Sequence, residues 1–189
     1  MILLIKKIQI NGRALSGKDT VADYLVKNYE FKKLFYAEGI YEEAYKQGMT
    51  FKDRELLIKI GESARAKNPD YWVNWVFNKE KQFDKVVISD CRRANEYLKG
   101  IQEGYLPVRI TADFNIRVQR AIERDGFYPD TSLWENESET GADPFDYIEI
   151  DNNSTLEDLH KQIDKIMESD HKEFIEFLKE KYLSVKLNY

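Results

Sequence analysis

Hydrophobic positions along the chain follow two periods. Short apolar runs predict strands closing at Ile8-Gln9-Ile10 and covering Phe31–Tyr36, Lys85–Asp90, Pro107–Thr111 and Tyr147–Ile150. Between them, apolar residues recur at helical spacing. The pattern predicts helices over about Lys18–Asn28, Gly39–Gln47, Asp53–Lys67, Asp70–Phe83, Asn95–Glu103, Asp113–Arg124, Thr155–Glu168 and Asp170–Leu183. In the first of these, Val21, Tyr24, Leu25 and Tyr29 share a face; the third stops before Asn68-Pro69, because a residue preceding proline avoids the α region. Phe127 to Asp143 is a long polar excursion. Strands alternating with helices predict an α/β fold, a doubly wound parallel sheet flanked by helices. No low-complexity linker interrupts it. A single domain over 1–189 is expected, with a core over about 1–168 and a closing helix over about 170–183.

Composition narrows the class. The 189 residues carry a net charge of −5 and a pI near 5.3, which argues against coating nucleic acid or an anionic membrane. Cys91 is the one cysteine, so no internal disulfide forms, and His160 and His171 alone cannot build a Cys/His zinc cluster. Met1–Ile5 is too short for a secretion signal. The expected setting is a reducing cytoplasm.

One segment carries chemistry. Gly12-Arg13-Ala14-Leu15-Ser16-Gly17-Lys18-Asp19-Thr20 follows a predicted strand and opens a predicted helix. In that context G-x-x-x-x-G-K is a phosphate-binding loop, a P-loop. Gly12 and Gly17 let the chain curl so that backbone N–H groups face one point, the helix N-terminus adds its positive dipole end, and Lys18 reaches the β- and γ-phosphates of ATP. The expected phosphate ligands are Gly12, Arg13, Ser16, Gly17, Lys18, Asp19 and Thr20, with Lys18 exposed in the loop until phosphate arrives. Asp19 stands where Ser or Thr usually holds Mg²⁺. It is either a hard oxygen ligand or holder of a metal-bound water, or a first-turn acid favoured by the helix dipole.

Asp90 ends a buried strand, where ligands gather in parallel sheets; it is a candidate support for Mg²⁺ or a helix cap. Arg92 and Arg93 follow at once and suit a bidentate oxyanion. Arg117, Arg120 and Arg124 share one helical face. They are either a solvated face or a lid whose arginines neutralise a transferred phosphoryl group. Arg65 either binds an acceptor phosphate or interacts with its helix C-terminus. Tyr71, Trp72, Trp75 and Phe77 read as core, with stacking on a flat base as the alternative.

With these elements in place, the chain resembles the P-loop kinases of small metabolites. Ser16-Gly17-Lys18-Asp19-Thr20-Val21-Ala22-Asp23 is similar to bacteriophage deoxynucleoside monophosphate kinases, as are Pro69-Asp70-Tyr71-Trp72-Val73 and the segment from Val87 to Glu96. Glu137-Ser138-Glu139-Thr140-Gly141 resembles that family's Ser-Glu segment after the lid, and Ile150-Asp151-Asn152-Asn153-Ser154 looks like the loop that holds the adenine edge. The resemblance implies ATP and Mg²⁺ as cofactors and a (deoxy)nucleoside monophosphate as acceptor. It implies adenine contacts from Asn152 and Asn153, and an acceptor site drawing on Arg65, Trp72, Arg92, Arg93, Glu137 and Glu139. Asn136 stands where that family often has a histidine. Animal-type phosphomevalonate kinases share S-G-K-D, D-x-R-R and the acidic run Asp143-Pro144-Phe145-Asp146, so phosphomevalonate is a second acceptor class. A nucleotide-binding regulator without an acceptor is a third reading. Expected partners are small-molecule nucleotides, and Phe174, Phe177, Leu178 and Leu183 suggest that the last helix packs on the domain or on a second copy in a homodimer.

Overall fold

The computed structural model describes residues 5–131, 134 and 141–183. Five strands form one parallel sheet: β1 (Lys7–Asn11), β2 (Lys32–Leu34), β3 (Val86–Ile88), β4 (Leu106–Thr111) and β5 (Ile148–Asp151). Their order is β2-β3-β1-β4-β5, with every pair parallel. The helices are α1 (Lys18–Tyr29), α2 (Glu38–Lys46), α3 (Arg54–Lys67), α4 (Tyr71–Glu80), α5 (Ala94–Gln102), α6 (Phe114–Asp125), α7 (Leu156–Glu168) and α8 (Lys172–Leu183). The predicted doubly wound α/β fold is the observed one.

Burial follows the strand alternation. On one face Ile8, Ile10, Val87 and Val108 pack against Val21 and Leu25 of α1 and Leu159 and Ile163 of α7. On the other, Leu34, Val86 and Ile88 pack against Val76 and Phe77 of α4, Tyr97 and Ile101 of α5 and Leu178 of α8. A fully buried Leu178 ties α8 to the domain, helped by Lys181 and Tyr182, which both reach Asp146 at 2.6 Å. Beside the sheet, α2, α3 and α4 enclose a small core of Ile40, Ala44, Met49, Ile60 and Trp72.

Two details of β3 position the site. The sequence pattern extends this strand to Asp90, but its regular pairing stops at Ile88. Ser89 donates its N–H to Leu34 on one neighbour and Cys91 donates to Ile10 on the other, so the chain splits its bonds between diverging strands. The crevice opens there, at the carboxyl ends of β1 and β3, where the strand order reverses direction. None of the helices among the described residues is long and apolar enough to cross a membrane.

Candidate active site

The loop between β1 and α1 is built by backbone conformations that most residues avoid. Gly12 and Gly17 take φ of 151° and 105°, and Leu15 takes 63°. A Cβ on Gly12 would lie 2.5 Å from the Ile110 carbonyl oxygen, so only glycine lets the loop press against β4. Ser16 closes a turn by donating its N–H to the Arg13 carbonyl at 3.1 Å. Its hydroxyl is buried with no hydrogen-bond partner among the described residues, inside the loop an anion would enter.

Lys18 does not extend into solvent. It is 9% exposed, and its ammonium donates to the carbonyls of Gly12 at 2.7 Å and Arg13 at 2.8 Å. The expectation of an exposed lysine is corrected on this point: the loop's own carbonyls hold the charge within its curve.

The carbonyls further along the loop, those of Ala14, Leu15 and Ser16, are met by the arginines of α6. Arg120 donates to the carbonyls of Leu15 at 3.2 Å and Ser16 at 3.3 Å, and with its other terminal nitrogen to that of Asn152 at 2.8 Å. Arg117, buried, reaches the Ala14 carbonyl at 3.5 Å and lies 5.0 Å from the Trp134 ring centroid. Asn152 in turn donates its side-chain N–H to the Ser16 carbonyl at 2.7 Å. Asn153 brackets Asp113 at the start of α6, accepting its N–H at 2.7 Å and donating to its carboxylate at 3.3 Å. The phosphate loop, the β5–α7 loop and α6 are thereby stitched into one piece.

Two cavities meet at this piece. One, of about 470 Å³, is lined by Gly17, Lys18, Asp19, Thr20, Arg120, Arg124, Asn152 and Ser154. The other, of about 630 Å³, adds Lys33, Asp90 and Arg92 and the aromatic rings of Phe35, Tyr41, Phe127 and Trp134. Leu15, Lys18, Asp19 and Arg124 line both.

This architecture has counterparts among solved structures. A shikimate kinase from Aquifex aeolicus superposes with a TM-score of 0.57 at 19% identity, covering 86% of this chain and 96% of that one. A gluconokinase from Sinorhizobium meliloti gives 0.56 at 15% identity, over 87% of this chain and 95% of that one. The chain has the P-loop kinase fold. A shikimate kinase from Acinetobacter baumannii, determined with shikimate, gives 0.54 at 16% identity over 86% of this chain and 91% of that one. No family model matches the chain, and no curated protein matches it in sequence.

Within this P-loop kinase fold the candidate residues separate. Lys18, Asp19, Asp90, Arg92 and Arg124 converge on the larger cavity. Asp90 accepts the Tyr36 N–H at 2.8 Å, which anchors the turn into α2. Burial pushes its carboxyl above the ordinary value, against the pull of that N–H, Arg92 and Lys18. Asp19 is 80% exposed and ion-paired with Lys33 at 2.7 Å. Thr20 is exposed on the smaller cavity. Arg13 is ion-paired with Asp143 at 2.6 Å.

Other candidates lie elsewhere. Arg65 and Arg93 both approach Glu62, at 2.8 and 3.7 Å, and line neither cavity. Trp72 is 5% exposed, and its indole N–H donates to the Gly61 carbonyl at 3.1 Å, so its ring packs α3 against α4 rather than facing an acceptor. Glu137 and Glu139 fall outside the described residues. Sequence reasoning missed Lys33, Phe35, Tyr41 and Phe127. Phe127 carries the one signal available in the sequence, a large apolar residue directly after Gly126 in a polar stretch; the structure leaves it 66% exposed.

Glu96 shapes the turn that delivers Arg92. One of its carboxylate oxygens accepts the N–H groups of Arg92 at 2.8 Å and Arg93 at 3.0 Å. Burial, with a smaller push from the Asp90 charge, raises its pKa from 4.5 to about 7, against the pull of those N–H groups. The native state therefore keeps a proton that the unfolded chain releases earlier. The stability this contributes is full below about 4.5 and is lost as pH rises through about 7. Glu96→Gln keeps an acceptor for the turn and removes the titration. In urea unfolding at pH 5 and pH 7.5, the variant should gain on the wild type by on the order of 2 kcal/mol across that interval. Parallel pH curves would show that Glu96 does not titrate there.

Proposed function

We propose that this domain transfers the γ-phosphoryl group of ATP, with Mg²⁺, to the phosphate of a (deoxy)nucleoside monophosphate, giving the diphosphate and ADP. The observation that carries the reading is the pair of cavities joined at Lys18, Asp19 and Arg124. One is the phosphate loop's own. The other offers a cation for a second phosphate in Arg92 and flat surfaces for a base in Phe35, Tyr41 and Phe127. A donor in the first and an acceptor in the second would meet end to end, which is the arrangement in-line transfer needs.

The residues fit the metal in a limited way. Among the described residues no group of three or more His, Cys, Asp or Glu could cage an ion. Mg²⁺ bound chiefly by phosphates and waters needs only one or two carboxylates, and Asp19, with Asp90 behind it, supplies those. When bound, the metal would neutralise charge on the transferred group. Lys18 would hold the donor phosphates, and Arg92 would orient the acceptor. An acceptor that is already a phosphate ionises readily, so no strong general base is required; neither cavity's described lining includes a histidine.

An acceptor screen tests the reading. ADP release from ATP should rise at least about tenfold with one or more nucleoside monophosphates over ATP alone, and stay at background with shikimate and gluconate. Stimulation by phosphomevalonate alone would move the acceptor to the class recognised mostly by cations. ADP release indifferent to every acceptor would make the domain a nucleotide-binding regulator.

A further inference from the structure

Asp19 and Asp23 lie four residues apart on α1, so their carboxylates share a face and repel. Lys33, in the middle of the edge strand β2, lies between them. Its ammonium is 2.7 Å from Asp19 Oδ1 and 3.0 Å from Asp23 Oδ1, and its side chain is 26% exposed while the carboxylates are 80% and 68% exposed. Lys33 also lines the larger cavity beside Lys18. A hydroxyl at the position after the P-loop lysine, the usual metal ligand, would hold an ammonium only weakly. A carboxylate there attracts one strongly. The substitution that makes position 19 a better metal ligand also makes it a better partner for Lys33.

From this geometry we propose that Lys33 is a positioning residue that competes with the divalent cation for Asp19, and that Asp23 receives the lysine when the metal takes Asp19. The proposal rests on the reading of the P-loop as a metal–nucleotide site. Lys33 then sets how much metal the site requires, and the Asp19–Lys33–Asp23 cluster has two arrangements. In one the ammonium bridges both carboxylates, as here. In the other it stays on Asp23 and Asp19 faces the metal. Because the carboxylates are exposed, solvent screens the exchange and its energy is that of a surface ion pair.

Mn²⁺ binding to the protein–ADP complex, followed by electron paramagnetic resonance of the free ion, tests this without turnover. Lys33→Met keeps the apolar stem and removes the charge; it should bind Mn²⁺ about two- to fivefold more tightly. Asp23→Asn leaves the lysine with Asp19 alone and should weaken Mn²⁺ by a similar factor. In an Asp19→Asn background both effects should vanish, whereas a general field from the charges would persist. Affinity for metal-free ADP, measured by calorimetry, should not rise in Lys33→Met. Wild-type protein that binds no ADP would overturn the P-loop reading and this proposal with it. Normal ADP binding with Mn²⁺ affinity unmoved or weakened in Lys33→Met, or with the same changes surviving in Asp19→Asn, would overturn the competition alone.

Discussion

Lys18→Met should lower kcat for ATP-dependent phosphoryl transfer about a thousandfold, the scale on which a single preorganised charge-stabilising donor counts. The ammonium is already in the loop, held by the Gly12 and Arg13 carbonyls at 2.7 and 2.8 Å. An incoming phosphate therefore meets a charge fixed in place, with little ordering left to do. Methionine fills the same volume without charge, so the fold should survive. The cost is that two carbonyls lose a charge-assisted donor, worth on the order of 1–2 kcal/mol of stability. The thermal midpoint serves as the control for folding, and calorimetric ADP binding should weaken, since the same ammonium holds the donor phosphates. A folded variant that retains kcat within tenfold of wild type would remove Lys18 from the transition state and with it the P-loop assignment.

What the sequence disclosed and what it hid differ in kind. The P-loop was legible because its chemistry is backbone chemistry: two glycines, a preceding strand and a following helix already imply a ring of N–H groups. The parallel sheet was legible from short apolar runs separated by helical ones. The destinations of the cations were not. Arg117, Arg120 and Arg124 do share a face, as their spacing requires, yet the first two donate to carbonyls of residues 14–16 and 152. No pattern of residue types reveals a carbonyl as a partner, because every residue has one. Lys33 was hidden for a related reason. A lysine on a short edge strand reads as solvated, and its significance depends on the distance from β2 to α1, a tertiary fact. Trp72 divides the two routes: the residue pattern reads it as core, as it is, while the resemblance places it at the acceptor, where its ring, closing the α2–α3–α4 core, does not stand.

Of the three α6 arginines, Arg124 is the one that lines both cavities without bracing the P-loop, and Arg124→Ala should lower kcat about a hundredfold or more while changing KM for ATP less than about threefold. Its side chain is 65% exposed, and the guanidinium forms a fork with Asp125, Nε to Oδ1 at 2.8 Å and Nη2 to Oδ2 at 2.7 Å. That exposure makes the pair weak, so the side chain is free to exchange a carboxylate for a phosphoryl oxygen at small cost. The exchange has most to gain when charge moves between donor and acceptor, because the residue stands where the two cavities meet. An interaction made mainly in the transition state lowers kcat and kcat/KM together and leaves ground-state binding nearly alone. Arg124→Lys should recover little, since an ammonium cannot match two oxygens in a fork. Arg120→Ala should behave differently: losing its contacts to Leu15, Ser16 and Asn152 loosens the donor site itself, so KM for ATP should rise along with any loss in kcat. Steady-state kinetics of the three variants at saturating acceptor separate these roles. If Arg124→Ala changes kcat by less than threefold, its side chain is part of a solvated face, and charge neutralisation in the transfer must come from Lys18 and Arg92.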